Sequence, residues 1–238
     1  MNLSVVIPAY NEEKYLPATL EALRCALGSI QGAEIIVVDN ASTDKTREIA
    51  DAHKAKVVTE HEHNIGKVRN TGGNSATGDV LIFLDADTIV RVGLFEKIID
   101  AMDDPRCVGG SVAVEYDSHV RRPWMKFYLG LAIFVGRLTR IRQGALQFCR
   151  REAFRELDGY DTGIYVGEDI EFHWRLDKYA RERAGHTVFV EEPKVKTSSR
   201  RFEKMGLVRM LVFTHPITIF LAWRIRSFWK DWYEDAIR

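Results

Sequence analysis

The 238-residue chain has little cysteine, only Cys25, Cys107 and Cys149, set far apart and without a C-x-x-C pair. A disulfide framework or a cysteine zinc site is therefore not expected, and a reducing compartment is. It also lacks an excess of either charge, because 34 Lys and Arg balance 34 Asp and Glu. A dedicated nucleic-acid binder carries a basic surplus, so nucleic acid is not an expected partner. Only 6 prolines accompany 17 glycines, too few together for a low-complexity chain. No run reaches the roughly 18 uninterrupted apolar residues of a spanning helix. Met205 to Trp223 comes nearest and is broken by Arg209, His215 and Pro216. The opening MNLSVVIPAY has neither the basic start nor the long apolar stretch of a secretory signal, so the mature protein is expected to begin there. What is present, 46% apolar and 29% charged residues, is the composition of a packed protein. We read one main domain over 1–204 and an amphipathic helical extension over 205–238.

Short apolar runs alternate with helical patterns through the first half, the signature of βαβ units and an α/β sheet that is mostly parallel. The runs are Leu3 to Ile7, Glu34 to Val38, Lys56 to Thr59 and Val80 to Leu84. Leu16, Leu20, Leu23 and Leu27 share one helical face, with Asn11 as the expected N-cap and Glu12 and Glu13 in the first turn. Ser42 is expected to cap a second helix from Thr43. Leu94 to Met102 reads as a helix, Cys107 to Val114 as a strand, and Trp124 to Leu138 as a further helix.

Ligands of open α/β sheets bind outside the carboxyl ends of the strands. Three of those ends carry polar groups: Pro8-Ala9-Tyr10-Asn11-Glu12, Asp39-Asn40-Ala41-Ser42 and Asp85-Ala86-Asp87. Side chains two apart in extended chain face one way, so Asp85 and Asp87 could share a divalent ion. Such hard oxygen donors suit Mg2+ or Mn2+. An isolated D-x-D more often only opens a turn; here its neighbours argue for more.

VVIPAYNEE, IIVVDNASTDKT, NIGKVRNTG, FLDADT and GEDIEF occur in the order found in family 2 glycosyltransferases. Over about residues 2 to 176 the chain resembles that family. The resemblance implies the GT-A fold, a Rossmann-like, mixed but mostly parallel sheet flanked by helices, and a nucleotide-diphosphate sugar across its carboxyl edge. Carried over by position, Pro8, Ala9, Tyr10 and Glu12 would flank base and ribose, and Asp39 would accept a hydrogen bond from the base. Asp85 would contact ribose or metal, and Asp87 would ligate the Mn2+ or Mg2+ that bridges both phosphates. The ED pair implies Asp169 as general base, with Glu168 orienting the acceptor. The reaction implied is one inverting transfer of a hexosyl group, with UDP or GDP as the leaving group, to a hydroxyl or phosphate.

Charge developing on that leaving group needs cations. Lys67 and Arg69 are candidates, against the plainer reading of a solvated helix start. Arg200 and Arg201, in TSSRRF, suit the diphosphate or an acceptor phosphate. Two features depart from the family. Phe172-His173-Trp174-Arg175-Leu176 stands where processive members have Q-x-x-R-W, which points to transfer of a single sugar. Residues 191–201 lack the histidine that some relatives place on the metal, which leaves the diphosphate and water to complete the ion's shell. Two other functions fit the sequence less well. A sugar-phosphate nucleotidyltransferase would open with a Gly-rich, Arg-containing loop, which PAYNEE is not. A non-catalytic nucleotide- or membrane-binding module would need neither the D-A-D nor the ED pair.

The zero net charge hides segregation. Residues 118–151 carry +8 and 194–238 carry +6. Both segments hold large apolar groups at helical spacing, Trp124 to Leu138 and Met205 to Trp232. Apolar stripes framed by Arg and Lys suit an interfacial helix on a membrane, a homodimer contact, or ordinary core. For 124–138 core or dimer is favoured. For 205–232 membrane or dimer is favoured, which implies a cytoplasmic protein peripheral to the membrane and a lipid-linked acceptor.

Overall fold

A computed structural model describes residues 1–28, 30–116, 144–200, 216–225 and 227–229. The expected helix at 124–138, Arg201 and most of the 205–238 extension lie outside these residues. In order, the elements are β1 (Leu3–Ala9), α1 (Leu16–Leu27), β2 (Ala33–Asp39), α2 (Thr46–Ala52), β3 (Lys56–Thr59), α3 (Ile65–Ser75), β4 (Val80–Leu84), β5 (Thr88–Ile89) and α4 (Leu94–Met102). The second half adds β6 (Cys107–Tyr116), β7 (Leu146–Arg150), α5 (Arg151–Glu156), α6 (Glu168–Glu182), β8 (His186–Thr197) and α7 (Pro216–Ala222).

The strands form an eight-stranded sheet in the order β3-β2-β1-β4-β7-β6-β8-β5. Strands β3, β2, β1 and β4 are parallel, β7 is antiparallel to both β4 and β6, and β8 runs parallel to β6. All seven residues of β1 and all five of β4 are buried. A strand covered on both faces needs apolar residues without alternation, and that is how these two runs read.

Their side chains still alternate between two cores. Leu3, Val5, Ile7, Val80, Ile82 and Leu84 join Leu16, Leu20 and Leu23 of α1 and Phe95 and Ile98 of α4. Val6, Ile36, Val38, Leu81 and Phe83 face the opposite way, against Val68 of α3, Phe154 of α5, and Phe172 and Leu176 of α6. Helix α3 lies very close to the sheet. A Cβ on Gly72 would fall 2.3 Å from Val6 Cγ1 and 2.7 Å from Val38 Cγ2.

The expected helix caps are used differently. Helix α1 starts at Leu16 with Pro17 in its first turn, not at the Asn11–Glu13 segment. Asn11 adopts a left-handed conformation and its Oδ1 accepts from Thr43 N at 2.8 Å. Ser42 Oγ accepts from Asn11 N at 3.0 Å, and α2 begins only at Thr46. Glu12 N and Glu13 N donate to Thr46 Oγ1 and Asp44 Oδ2 at 2.7 and 3.0 Å. Groups expected to cap two helices instead lace the loops after β1 and β2 together, fixing that part of the sheet's carboxyl edge.

Residues 191–197, which carry no apolar alternation that would mark a strand, belong to β8. From the C-terminal extension, α7 and the turn after it fold back onto the main domain. Trp229 is fully buried with Val166 and Ala222, and Tyr165 N donates to Trp223 O at 2.7 Å. That stretch therefore adds a buried side chain to the fold, where surface placement was expected.

Candidate active site

The site forms where the loops after β1, β2 and β4 meet the N-terminus of α6 and the end of β8. On the β1–β2 side, Ala9 and Asp39 are paired in register, and Pro8 is paired with Val38. Asp39 is buried, its Oδ1 accepts from Ser42 N at 3.1 Å, and Arg47 Nη1 lies 4.0 Å from its Oδ2. Tyr10 packs against His63 with ring centroids 4.6 Å apart. Asn40 Nδ2 donates to the carbonyls of Glu60 and Glu62, so its Oδ1 is the acceptor and His63 Nδ1, 3.1 Å away, carries the proton. Asn40 is among the polar groups read at the end of β2, and His63, which it holds, is an addition to them.

At the centre is Arg69. Its position on α3 turns it under the sheet edge, where it is only 4% exposed. One nitrogen is bonded to Glu168 and another reaches Asp85 Oδ1 at 3.0 Å. The guanidinium also lies 5.3 Å from the centroid of the Tyr160 ring. The plainer reading of Arg69 as a solvated helix start is thus wrong. For Lys67 it holds, since that side chain points to solvent and pairs with Glu62 at 2.6 Å.

Burial opposes charge on Arg69, but Glu168 and Asp85 outweigh it and hold the guanidinium firmly protonated. Burial likewise pushes the Glu168 carboxyl up, to about 7. The charge of Asp169 adds to that rise, and Arg69 pulls against it.

Glu168 and Asp169 begin α6 after Gly167, which takes the left-handed conformation. Asp169 O accepts from Gln147 Nε2 at 2.9 Å. Chain entering β7 crosses beside the carboxylate, since a Cβ on Gly144 would lie 2.4 Å from Asp169 Oδ2.

On the other side, Asp87 faces Arg200, whose Nε is 3.2 Å from Asp87 Oδ2. The same guanidinium is bonded to Glu12 and covers the Tyr15 ring at 4.3 Å. Burial would lower the Arg200 pKa, but the two carboxylates raise it. The structure thus sets an arginine against each carboxylate of the D-A-D turn. Among the described residues no three His, Cys, Asp or Glu side chains form a metal-binding group. The D-A-D segment is a turn and not the extended chain expected to face both carboxylates one way; as oxygen donors they are still of the kind that suits Mg2+ or Mn2+, which bind through one or two carboxylates and take waters and substrate phosphates for the rest.

Residues 4–158 match the profile of Glycosyl transferase family 2. The chain belongs to that family. A pre-mycofactocin glycosyltransferase of Mycobacterium tuberculosis is 28% identical over 190 residues, covering 74% of this chain and 39% of that protein. The chain therefore spans well under half of that curated relative. Among solved structures, S. aureus TarS with UDP-GlcNAc superposes with a TM-score of 0.67 at 20% identity, covering 84% of this chain and 59% of that one. A mannosyltransferase from Pyrobaculum calidifontis, in complex with GDP-Man and Mn2+, does so with a TM-score of 0.64 at 22% identity, covering 83% and 56%. The expected GT-A fold is the one these family 2 members share with this chain.

Removing Arg69 should expose its value to the fold. Arg69→Met leaves Glu168 buried without its cation, at a cost of about 3–5 kcal/mol. Glu168 already has a raised folded pKa, so the stability of the variant is fully present below the ordinary carboxyl range and is lost as pH rises through about 7 and above. Urea unfolding should show a larger deficit at pH 8 than at pH 5. Equal deficits at the two pH values would contradict the charge argument.

Proposed function

We propose that the protein transfers one sugar from a UDP- or GDP-sugar to a hydroxyl or phosphate acceptor, with inversion and with a divalent cation. The observation that carries this is the placing of the D-A-D and E-D pairs on two sides of one buried arginine: Arg69 bonds Asp85 on the donor side and Glu168 on the acceptor side. Family membership supports the reaction class, and the solved relatives with UDP-GlcNAc and with GDP-Man and Mn2+ support the donor class.

In this reading Tyr10, with Pro8, Ala9 and Glu12, lines the nucleoside side, and Asp39 accepts a hydrogen bond from the base. Asp85 and Asp87 would hold Mn2+ or Mg2+, which supplies positive charge to the departing diphosphate. Asp169 takes the proton from the acceptor hydroxyl as its oxygen attacks the anomeric carbon opposite the diphosphate. A single displacement inverts that centre. Glu168, tied to Arg69, keeps the first turn of α6 in place beside the acceptor. Arg200, and Arg201 beside it in sequence, supply charge for a phosphate.

The extension offers a surface for a lipid-linked acceptor. No helix among the described residues is long and apolar enough to cross a membrane. Around the buried Trp229, however, Leu221, Ile225 and Phe228 are exposed at 75%, 49% and 38%. In a segment with a basic surplus, these side chains suit peripheral attachment to an anionic bilayer on the cytoplasmic face. Flotation with phosphatidylglycerol vesicles should be lost on combined Leu221→Gln, Ile225→Gln and Phe228→Gln. A variant that floats like the wild type would refute this use of the surface, and a wild type that runs as a dimer without floating would reassign it to self-association.

Asp169→Asn should cut transfer by orders of magnitude while leaving UDP or GDP affinity nearly unchanged, because a base acts only in the chemical step. Retained turnover would remove Asp169 from that role. Arg200 occupies Asp87 in the structure, so a metal at Asp87 has to compete with it. Arg200→Gln should therefore tighten Mn2+ binding to the nucleotide-free protein, read from the free-ion spin-resonance signal, and weaken UDP binding. Unchanged Mn2+ affinity would mean that the two cations do not compete.

A further inference from the structure

Gln147 is a lone amide inside the apolar strand Leu146–Arg150, paired with Phe83 of β4 on one side and Ser111 of β6 on the other. It is 3% exposed, and an amide so deep in a sheet is costly unless both of its ends are bonded. Both are. Its Nε2 donates to Asp169 O at 2.9 Å, and its Oε1 accepts from the Tyr160 hydroxyl at 3.2 Å.

Tyr160 is itself fixed. It is buried, stacked on Phe172 of α6 with centroids 4.3 Å apart, met edge-on by Phe83 at 5.1 Å, and covered by Arg69. Asp169 is thus held from two directions. Gln147 anchors its main chain from beneath, and the Gly144 backbone closes against its carboxylate. The helix's own ladder does not require either contact. First-turn carbonyls of a helix already accept from the N–H four residues on, so the Gln147 bond is a second one to the same oxygen.

We infer that Gln147 is a positioning residue for Asp169, holding the carboxylate at the angle from which it takes the acceptor proton. This inference rests on the reading of Asp169 as the base. It gives the buried amide a role that neither the D-A-D nor the E-D motif assigns. It also accounts for polar side chains, Gln147 and the Tyr160 hydroxyl, in a core face otherwise made of Phe83, Phe154 and Phe172.

The test is a double-mutant cycle of Gln147→Met and Asp169→Asn. Rates are read as nucleoside diphosphate released from UDP-N-acetylglucosamine or GDP-mannose with Mn2+ and water as acceptor, and UDP and GDP affinity is read by calorimetry. Misplacing a catalytic group by about 1 Å costs up to about a hundredfold in rate. Gln147→Met should accordingly lower kcat by about ten- to a hundredfold, leave nucleotide affinity unchanged, and have no further effect once Asp169 is Asn. A residue that merely fills the core would lower the rate of the Asp169→Asn protein by the same factor, and that outcome overturns the proposal. So would nucleotide affinity that falls in step with the rate.

If Gln147→Met does not fold, Tyr160→Phe removes only the hydroxyl. It should show a smaller loss of kcat that is again absent in the Asp169→Asn background, and a wild-type rate in Tyr160→Phe overturns the proposal. The failures separate. Full turnover by Asp169→Asn alone defeats the base assignment and the inference while the transferase reading stands. A wild-type protein that releases nucleotide from neither donor defeats the transferase reading, and the inference with it.

Discussion

One buried cation organises this site. Arg69 is enclosed between two carboxylates from distant parts of the chain, Asp85 at the end of β4 and Glu168 at the start of α6. A guanidinium so deep in the protein is tolerated only when paired, and a carboxylate beside it only while the guanidinium stays. Neither strand end nor helix start can then move without stranding a charge. The planar fork suits this task better than a lysine, since separate nitrogens reach separate carboxylates. The geometry between the D-A-D turn and the helix start that carries Glu168 and Asp169 is set by this ion triad.

The scaffold brings those three groups within reach because β1 and β4 are covered on both faces. Their alternate residues feed two cores, one under α1 and α4 and the other under α3, α5 and α6. Glycine at 72 lets α3 sink against Val6 and Val38. With a side chain there the helix would stand off, and Arg69, one turn earlier, would be lifted from the carboxylates it serves. Packing on one face of the sheet is thereby tied to electrostatics at its edge.

Much of this was legible in the residues. The β3, β4 and α4 bounds agree with those read from the sequence, because β-branched runs, a fully buried strand such as β4 and a strongly amphipathic helix leave a clear pattern. Strand β8 was not legible, since EEPKVKT has the composition of a loop and most of the strand is only half-buried. The caps were misassigned for a related reason: Asn11 and Ser42 have the chemistry of N-caps, yet each found its partner on the neighbouring loop, across a distance that local sequence does not encode. The burial of Arg69 was hidden too, for it depends on Glu168, 99 residues away. Gln147 did leave a signal, an amide inside the run Leu-Gln-Phe-Cys, and it went unread because its partners, Tyr160 and Asp169, are brought to it only by the packing of α6 and the segment before it over the strand.

The balanced net charge takes on a different meaning beside this geometry. Four acidic groups of the site, Glu12, Asp85, Asp87 and Glu168, are each already matched to a guanidinium, from Arg69 or Arg200. The two arginines are not equivalent. Arg69 is 5% exposed at the side chain and mounted on a helix, and its loss would leave the buried Glu168 without its cation. Arg200 is 15% exposed, beyond the end of β8, and its partner Asp87 is 17% exposed. If a metal displaces one of the two, the lower cost falls on Arg200, and Asp87 becomes the carboxylate that is released. Asp85 would then stay tied to Arg69 through the reaction, so the D-A-D pair divides into a fixed residue and an exchangeable one. That division follows from the burial of the two arginines rather than of the carboxylates, for Asp85, 36% exposed, is more open than Asp87, 17% exposed.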